Sequence, residues 1–178
     1  MKRAFLTLPA VVLTAAVIVA GPTAMPVAAE AGHTPFKATF EDRVTFAPCP
    51  FPIFCFTASG TGQASHMGRT LEQRTATFDL SLLRATGCSP SPGAATLTAA
   101  NGDRVMMSLA GTVCSTGPST STLSFVYVVT GGTGRFEGAS GSGSGIAHGT
   151  VTGVSSGVAD ITYDGTLSAP GGVERHTS

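Results

Sequence analysis

Four cysteines (Cys49, Cys55, Cys88 and Cys114) and four histidines (His33, His66, His148 and His176) are the side chains of this 178-residue sequence best suited to holding a metal or passing electrons. Structural zinc takes such residues in closely spaced pairs, so that four ligands converge on one ion. No C-x-x-C pair occurs and the histidines are scattered, so no metal site is expected. An even cysteine count reads instead as two disulfides in a chain bound for an oxidising compartment. Three pairings are open. Cys49-Pro-Phe-Pro-Ile-Phe-Cys55 could close a short proline-stiffened loop, which would leave Cys88 for Cys114.

Two glycine-rich stretches imitate catalytic motifs. Gly153-Val-Ser155-Ser-Gly157 matches G-x-S-x-G literally, but that motif perches its serine on a strand-to-helix turn, and the Val158-Ala-Asp-Ile that follows is extended in character. In Thr130-Gly-Gly-Thr-Gly-Arg-Phe-Glu-Gly-Ala-Ser-Gly141 the phosphate-cradling pattern G-x-G-x-x-G fails at Glu137, and no helix signal follows. Its glycines read as a turn that returns Phe136 to the core. The candidates for acid–base work are then His66, Glu41 and Glu72. His66 ends a strand beside Met67-Gly68-Arg69, where it could exchange protons with a ligand at a barrel mouth or simply bond a neighbouring turn. Glu41 and Glu72, like Arg43 and Arg104, lie in strands part apolar on both faces, so alternation leaves their side undecided. Tyr127 and Tyr163 read as core or barrel-end side chains whose hydroxyls reach polar partners, which makes them the ligand-binding candidates.

The compartment follows from the first thirty residues. Met1-Lys2-Arg3 is basic, residues 4–20 are almost wholly apolar, Gly21-Pro22 breaks the run, and small residues stand at Ala28-Ala29. This order is that of a secretory signal peptide over residues 1–29, with cleavage after Ala29 or Ala31. An uncleaved anchor is the alternative, but seventeen residues with Pro9 among them are short for a membrane span. A secreted, extracytoplasmic chain without a stable membrane span is expected. Over residues 30–178, eight Lys and Arg face ten Asp and Glu, a net charge of −2. Without a basic surplus to neutralise phosphates, nucleic acid is not an expected partner.

Charged residues make up 11% of the chain and glycines number 23, which disfavours long helices and favours strands and tight turns. About eight strands are expected, near residues 36–46, 54–66, 69–80, 94–100, 104–114, 122–130, 144–151 and 158–167, with a loop at 87–93 and no helix. Asn101-Gly102 predicts a two-residue hairpin turn, with Asp103 serving it, and this brings Cys114 near Cys88. Eight short antiparallel strands point to a closed all-β barrel over residues 30–168, because closure leaves no unpaired edge. A two-sheet sandwich is the runner-up. Residues 169–178 read as a loose tail.

The stretch Gly-Gly-Thr-Gly-Arg-Phe-Glu-Gly-Ala-Ser-Gly resembles the glycine-rich turn of the allene oxide cyclase barrel family, which is related to dirigent proteins. Gly60-Thr-Gly-Gln-Ala-Ser-His66-Met-Gly68-Arg69, Ala99-Ala-Asn101-Gly102-Asp103 and Tyr163-Asp164-Gly165-Thr166 resemble bacterial exported members, and the resemblance spans most of residues 36–168. It implies an eight-stranded antiparallel barrel with an apolar lumen, in a family whose plant members are often oligomeric, so a homo-oligomer is left open. It also implies chemistry without a cofactor, by confinement of hydrophobic substrates. The matched residues are turn and packing signatures, so the resemblance transfers no catalytic residue. Two functions stand side by side: an exported barrel that binds a hydrophobic small molecule, and a cofactor-free cyclase or isomerase of such a substrate. A purely structural surface protein is the third.

Overall fold

The computed structural model describes residues 32–168. The expected leader with its cleavage site, the tail from residue 169, and His176 lie outside these residues. Inward and outward side chains alternate along each strand, as a pleated backbone requires. In β1 (His33–Pro48), Phe36, Ala38, Phe40, Asp42 and Val44 are buried, whereas Lys37, Thr39, Glu41 and Arg43 are exposed. β2 (Ile53–Ala64), β3 (Gly68–Asp79), β4 (Cys88–Ala99), β5 (Arg104–Ser115), β6 (Thr120–Gly132), β7 (Gly141–Gly153) and β8 (Ser156–Ser168) follow. Each pairs antiparallel with the next, and β8 returns to β1 in a register running from His33↔Ser168 to Thr45↔Ser156. The eight-stranded barrel expected from the sequence is therefore closed, and a sandwich is excluded.

The register corrects three expectations. Residues 87–93 are not a loop, because Cys88 begins β4. Pro90 and Pro92 fit there since β3 pairs with β4 only through Gly93–Ala99, so this stretch is locally an edge where a missing N–H is tolerated. A helix does occur: α1 (Leu80–Thr86) fills the gap left by β3, with the Asp79 carboxylate accepting from the Leu82 amide at 2.9 Å and Gly87 closing it at φ 81°. Two turns are too short for an amphipathic stripe to show. The Asn101-Gly102 turn has three residues, Ala100 to Gly102, rather than two. Gly102 alone has positive φ, while Asn101 donates to Asp103 Oδ2 at 2.8 Å. That extra residue sets the register: Thr98 faces Arg104 and Cys88 faces Cys114, whereas a two-residue turn would have put Ser115 there.

The barrel has two unlike ends. The lower end carries the β2–β3, β4–β5 and β6–β7 connections, and Phe36, Met67, Leu97, Val105, Phe136 and Leu167 fill it, each at most 5% exposed. A short 3-10 turn (Gly134–Phe136) carries Phe136 inward. The upper end carries α1 and the β1–β2, β5–β6 and β7–β8 connections. Both disulfides lie there, Cys49–Cys55 with Cα atoms 5.7 Å apart and Cys88–Cys114 with 4.0 Å. They cross-link the rim of the half that is not filled.

Candidate functional site: a hollow upper lumen over a buried polar cluster

The upper lumen is a cavity of about 730 Å³. Side-chain size at its inward positions explains it. On the β1–β3 side stand Phe46, Phe54, Phe56 and Phe78, with ring centroids 5.8 to 6.4 Å apart. On the adjoining wall β7 and β8 present Ala147, Gly149, Gly157 and Ala159, which put little side-chain volume into the lumen. Leu80 and Leu83 of α1 and Leu123 of β6 complete an apolar wall. A cavity of this volume with few polar groups has the character of a small-molecule site.

Below the cavity lies a polar cluster built by three strands. β1 supplies Asp42, β3 supplies Glu72 and Arg74, and β8 supplies Tyr163, all buried. Arg74 Nη2 donates to Asp42 Oδ2 at 3.3 Å, and Arg74 Nε lies 4.0 Å from Glu72 Oε1. The Tyr163 hydroxyl donates to Glu72 Oε1 at 2.5 Å. Of these four, Arg74 lines the cavity. Its Nε and Nη1 have no hydrogen-bond partner among the described residues, whereas Asp42 and Glu72 are close enough to share a hydrogen bond when one of them holds a proton. Buried polar atoms without partners are uncommon.

Burial dominates the protonation of this cluster. It pushes Glu72 up to about 7, against the Arg74 charge and with help from the Asp42 charge. Asp42 is raised for the same reason, with Arg74 opposing. Tyr163 is held well above the ordinary phenol range by burial and then by the charge of Glu72. Glu72 can therefore hold or release a proton near neutral pH, while Arg74 stands between this cluster and the cavity it lines.

The structure distributes the sequence candidates unevenly. Glu72 and Tyr163 meet in the cluster. Tyr127 lies lower in the lumen, its ring 5.7 Å from that of Tyr163 and its hydroxyl without a partner among the described residues, with its proton held up to about 12 by burial and then by the charge of Asp164. Gly143 and Gly165 flank that hydroxyl, and a Cβ at either would collide with it. Glu41, Arg43 and Arg104 are exposed on the outer wall. His66 is exposed in the β2–β3 turn at φ 63°, at the filled end, with Nε2 3.0 Å from the Pro35 carbonyl and 3.2 Å from Thr34 Oγ1. A carbonyl only accepts, so this nitrogen carries the proton. Ser155, the serine of the G-x-S-x-G match, is in the exposed β7–β8 turn. Asp42 and Arg74 escaped the candidate set, although their phase could have found them: Asp42 keeps step with Phe36, Phe40 and Val44, and Arg74 with Glu72, Ala76 and Phe78.

No protein-family model matches the chain, and no curated protein sequence matches it. Among solved structures it is similar to the pterocarpan synthase dirigent protein GePTS1, at 10% identity and a TM-score of 0.42, over 82% of this chain and 95% of that one. At those values the likeness assigns neither family nor activity. The closed barrel rests on the strand register alone.

Proposed function

We propose that this chain is exported, after removal of residues 1–29, and that the barrel holds a hydrophobic small molecule in its upper lumen. The observation that carries this reading is the largely apolar cavity of about 730 Å³, lined by Arg74 above the buried polar cluster. The two disulfides agree with an oxidising compartment, and the rim they cross-link gives a pre-formed site, which lowers the entropy lost on binding. The resemblance of the glycine-rich turn to the allene oxide cyclase group points the same way. The test is native mass spectrometry of the secreted protein after exposure to a mixture of extracted apolar metabolites. A retained mass of small-molecule size is expected, with an N-terminus at residue 30 or 32. Retention that persists when Ala147 and Ala159 are both replaced by Phe would overturn lumenal binding.

One observation favours a second reading, a cofactor-free cyclase or isomerase. Glu72 has a proton affinity matched to neutral pH, as a general acid needs. It is fully buried behind Arg74, however, so proton transfer to a ligand would have to pass the guanidinium. Binding is therefore the primary reading. A Glu72→Gln variant that retains ligand but loses turnover of it would move catalysis to first place.

A further inference from the structure

We infer that Arg74 makes the cavity selective for uncharged apolar molecules bearing a carbonyl or hydroxyl oxygen, against carboxylates of the same shape. This deepens the lumenal-binding reading and rests on it. Arg74 lines the cavity with a side chain only 2% exposed, and its Nε and Nη1, both shut off from water, have no partner among the described residues. A turn of the guanidinium toward the cavity would bring one of these shielded N–H groups to a ligand oxygen and pair a donor that is otherwise buried alone, and hydrogen bonds to charged donors are the stronger kind.

The charge of Arg74 is already answered. Asp42 lies at 3.3 Å and Glu72 at 4.0 Å, both wholly buried at their side chains, so one guanidinium faces two carboxyl groups. A ligand carboxylate would be a third, stripped of water and placed among like charges, with no second buried Lys or Arg among the described residues. Arg84 also lines the cavity, but at its exposed rim, where water and salt screen it. Anion attraction therefore ends at the rim, whereas the floor rewards a neutral oxygen. The phenylalanines of β1–β3 add a preference for a flat, unsaturated body.

Three probes of one shape decide the matter: 2-acetylnaphthalene, 2-ethylnaphthalene and 2-naphthoate, titrated into the secreted protein at pH 7.5 with naphthalene fluorescence as the readout. The ketone is expected to bind at least tenfold more tightly than the hydrocarbon and at least tenfold more tightly than the carboxylate. In Arg74→Met the preference of ketone over hydrocarbon should fall to about one. If that variant does not fold because Asp42 is left unpaired, Asp42→Leu/Arg74→Met carries the same comparison. Equal affinity for all three probes, or tighter binding of naphthoate, overturns selection by Arg74 while lumenal binding stands. Failure of all three to bind removes lumenal binding itself and this inference with it.

Discussion

The two halves of this barrel share strands, register and closure, yet one is solid and the other hollow. At the filled end Phe36, Leu97, Tyr127 and Leu167 are fully buried, and glycines at 143 and 165 make room for the Tyr127 hydroxyl. At the hollow end the phenylalanines of β1–β3 share the lumen with glycine and alanine on β7 and β8, which put little side-chain volume into it. An eight-stranded barrel is near the size at which side chains either fill the interior or leave space for one ligand. Here the choice is made separately in each layer, by side-chain volume rather than by strand number.

The largest expected contrast is between aromatic truncations at the two ends. Phe36→Ala should cost about 4 kcal/mol in chemical denaturation, because it opens a void among close-packed neighbours. Phe54→Ala, on a half-buried side chain that already borders the cavity, should cost about 1 kcal/mol. Equal losses would mean that the ends are packed alike and that the cavity is not a standing feature.

The polar cluster between the halves supplies the next contrast. Arg74→Met leaves the Asp42 carboxylate buried and unpaired and should cost about 3 kcal/mol at neutral pH. Replacing both partners, as Asp42→Leu/Arg74→Met, should restore most of that loss, since a buried pair stabilises little over a well-packed apolar one. A double variant as unstable as the single one would show that Arg74 supports the fold through packing of its stem.

Much of the filled half was legible in the sequence, and less of the hollow one. Alternation in Phe36–Phe46 and the β-branched run Thr122–Thr130 mark strands without help, and Phe136 is placed in the core by its glycine turn. The upper rim was obscured by three local effects. Pro90 and Pro92 read as loop because a proline-bearing strand is recognisable only once its unpaired edge is known. α1 is too short to show periodicity, although Asp79 and Gly87 are caps of ordinary kind. The hairpin gained one residue because Asn101 used its side chain to bond Asp103 instead of adopting positive φ. The candidate site was half legible: the phase of β3 carries Glu72 and Arg74 inward, but which neighbours they meet depends on the closure of β8 onto β1.

Glu72 gives a pH signature to the boundary between the halves. Its folded value of about 7 stands above the ordinary 4.5, so between these pH values the folded chain holds more protons than the unfolded one. Stability should therefore be greatest below about pH 4.5, decline as pH rises through this window, and level off above about 7, with a total loss of at most about 3 kcal/mol from this group. Asp42, also raised by burial, adds to the decline. Thermal melts across this range should show the decline in the parent chain and a visibly flatter profile in Glu72→Gln. An unchanged profile would place the titration elsewhere.

The smallest expected stability effect carries the most information about the hollow half. Gly145→Ala adds one carbon where a Cβ collides with Phe125 Cζ and the Thr162 carbonyl, and overpacking of this kind costs about 1–3 kcal/mol. Ala159→Leu adds three carbons on the neighbouring strand but points them into empty space, so the change in stability should stay within about 0.5 kcal/mol of zero. Its effect should appear in ligand retention, which the added volume obstructs. One carbon that destabilises beside three that do not is the pattern a solid and a hollow layer must give. If Ala159→Leu instead destabilises as much as Gly145→Ala, the upper lumen closes on itself in solution and there is no room for a ligand.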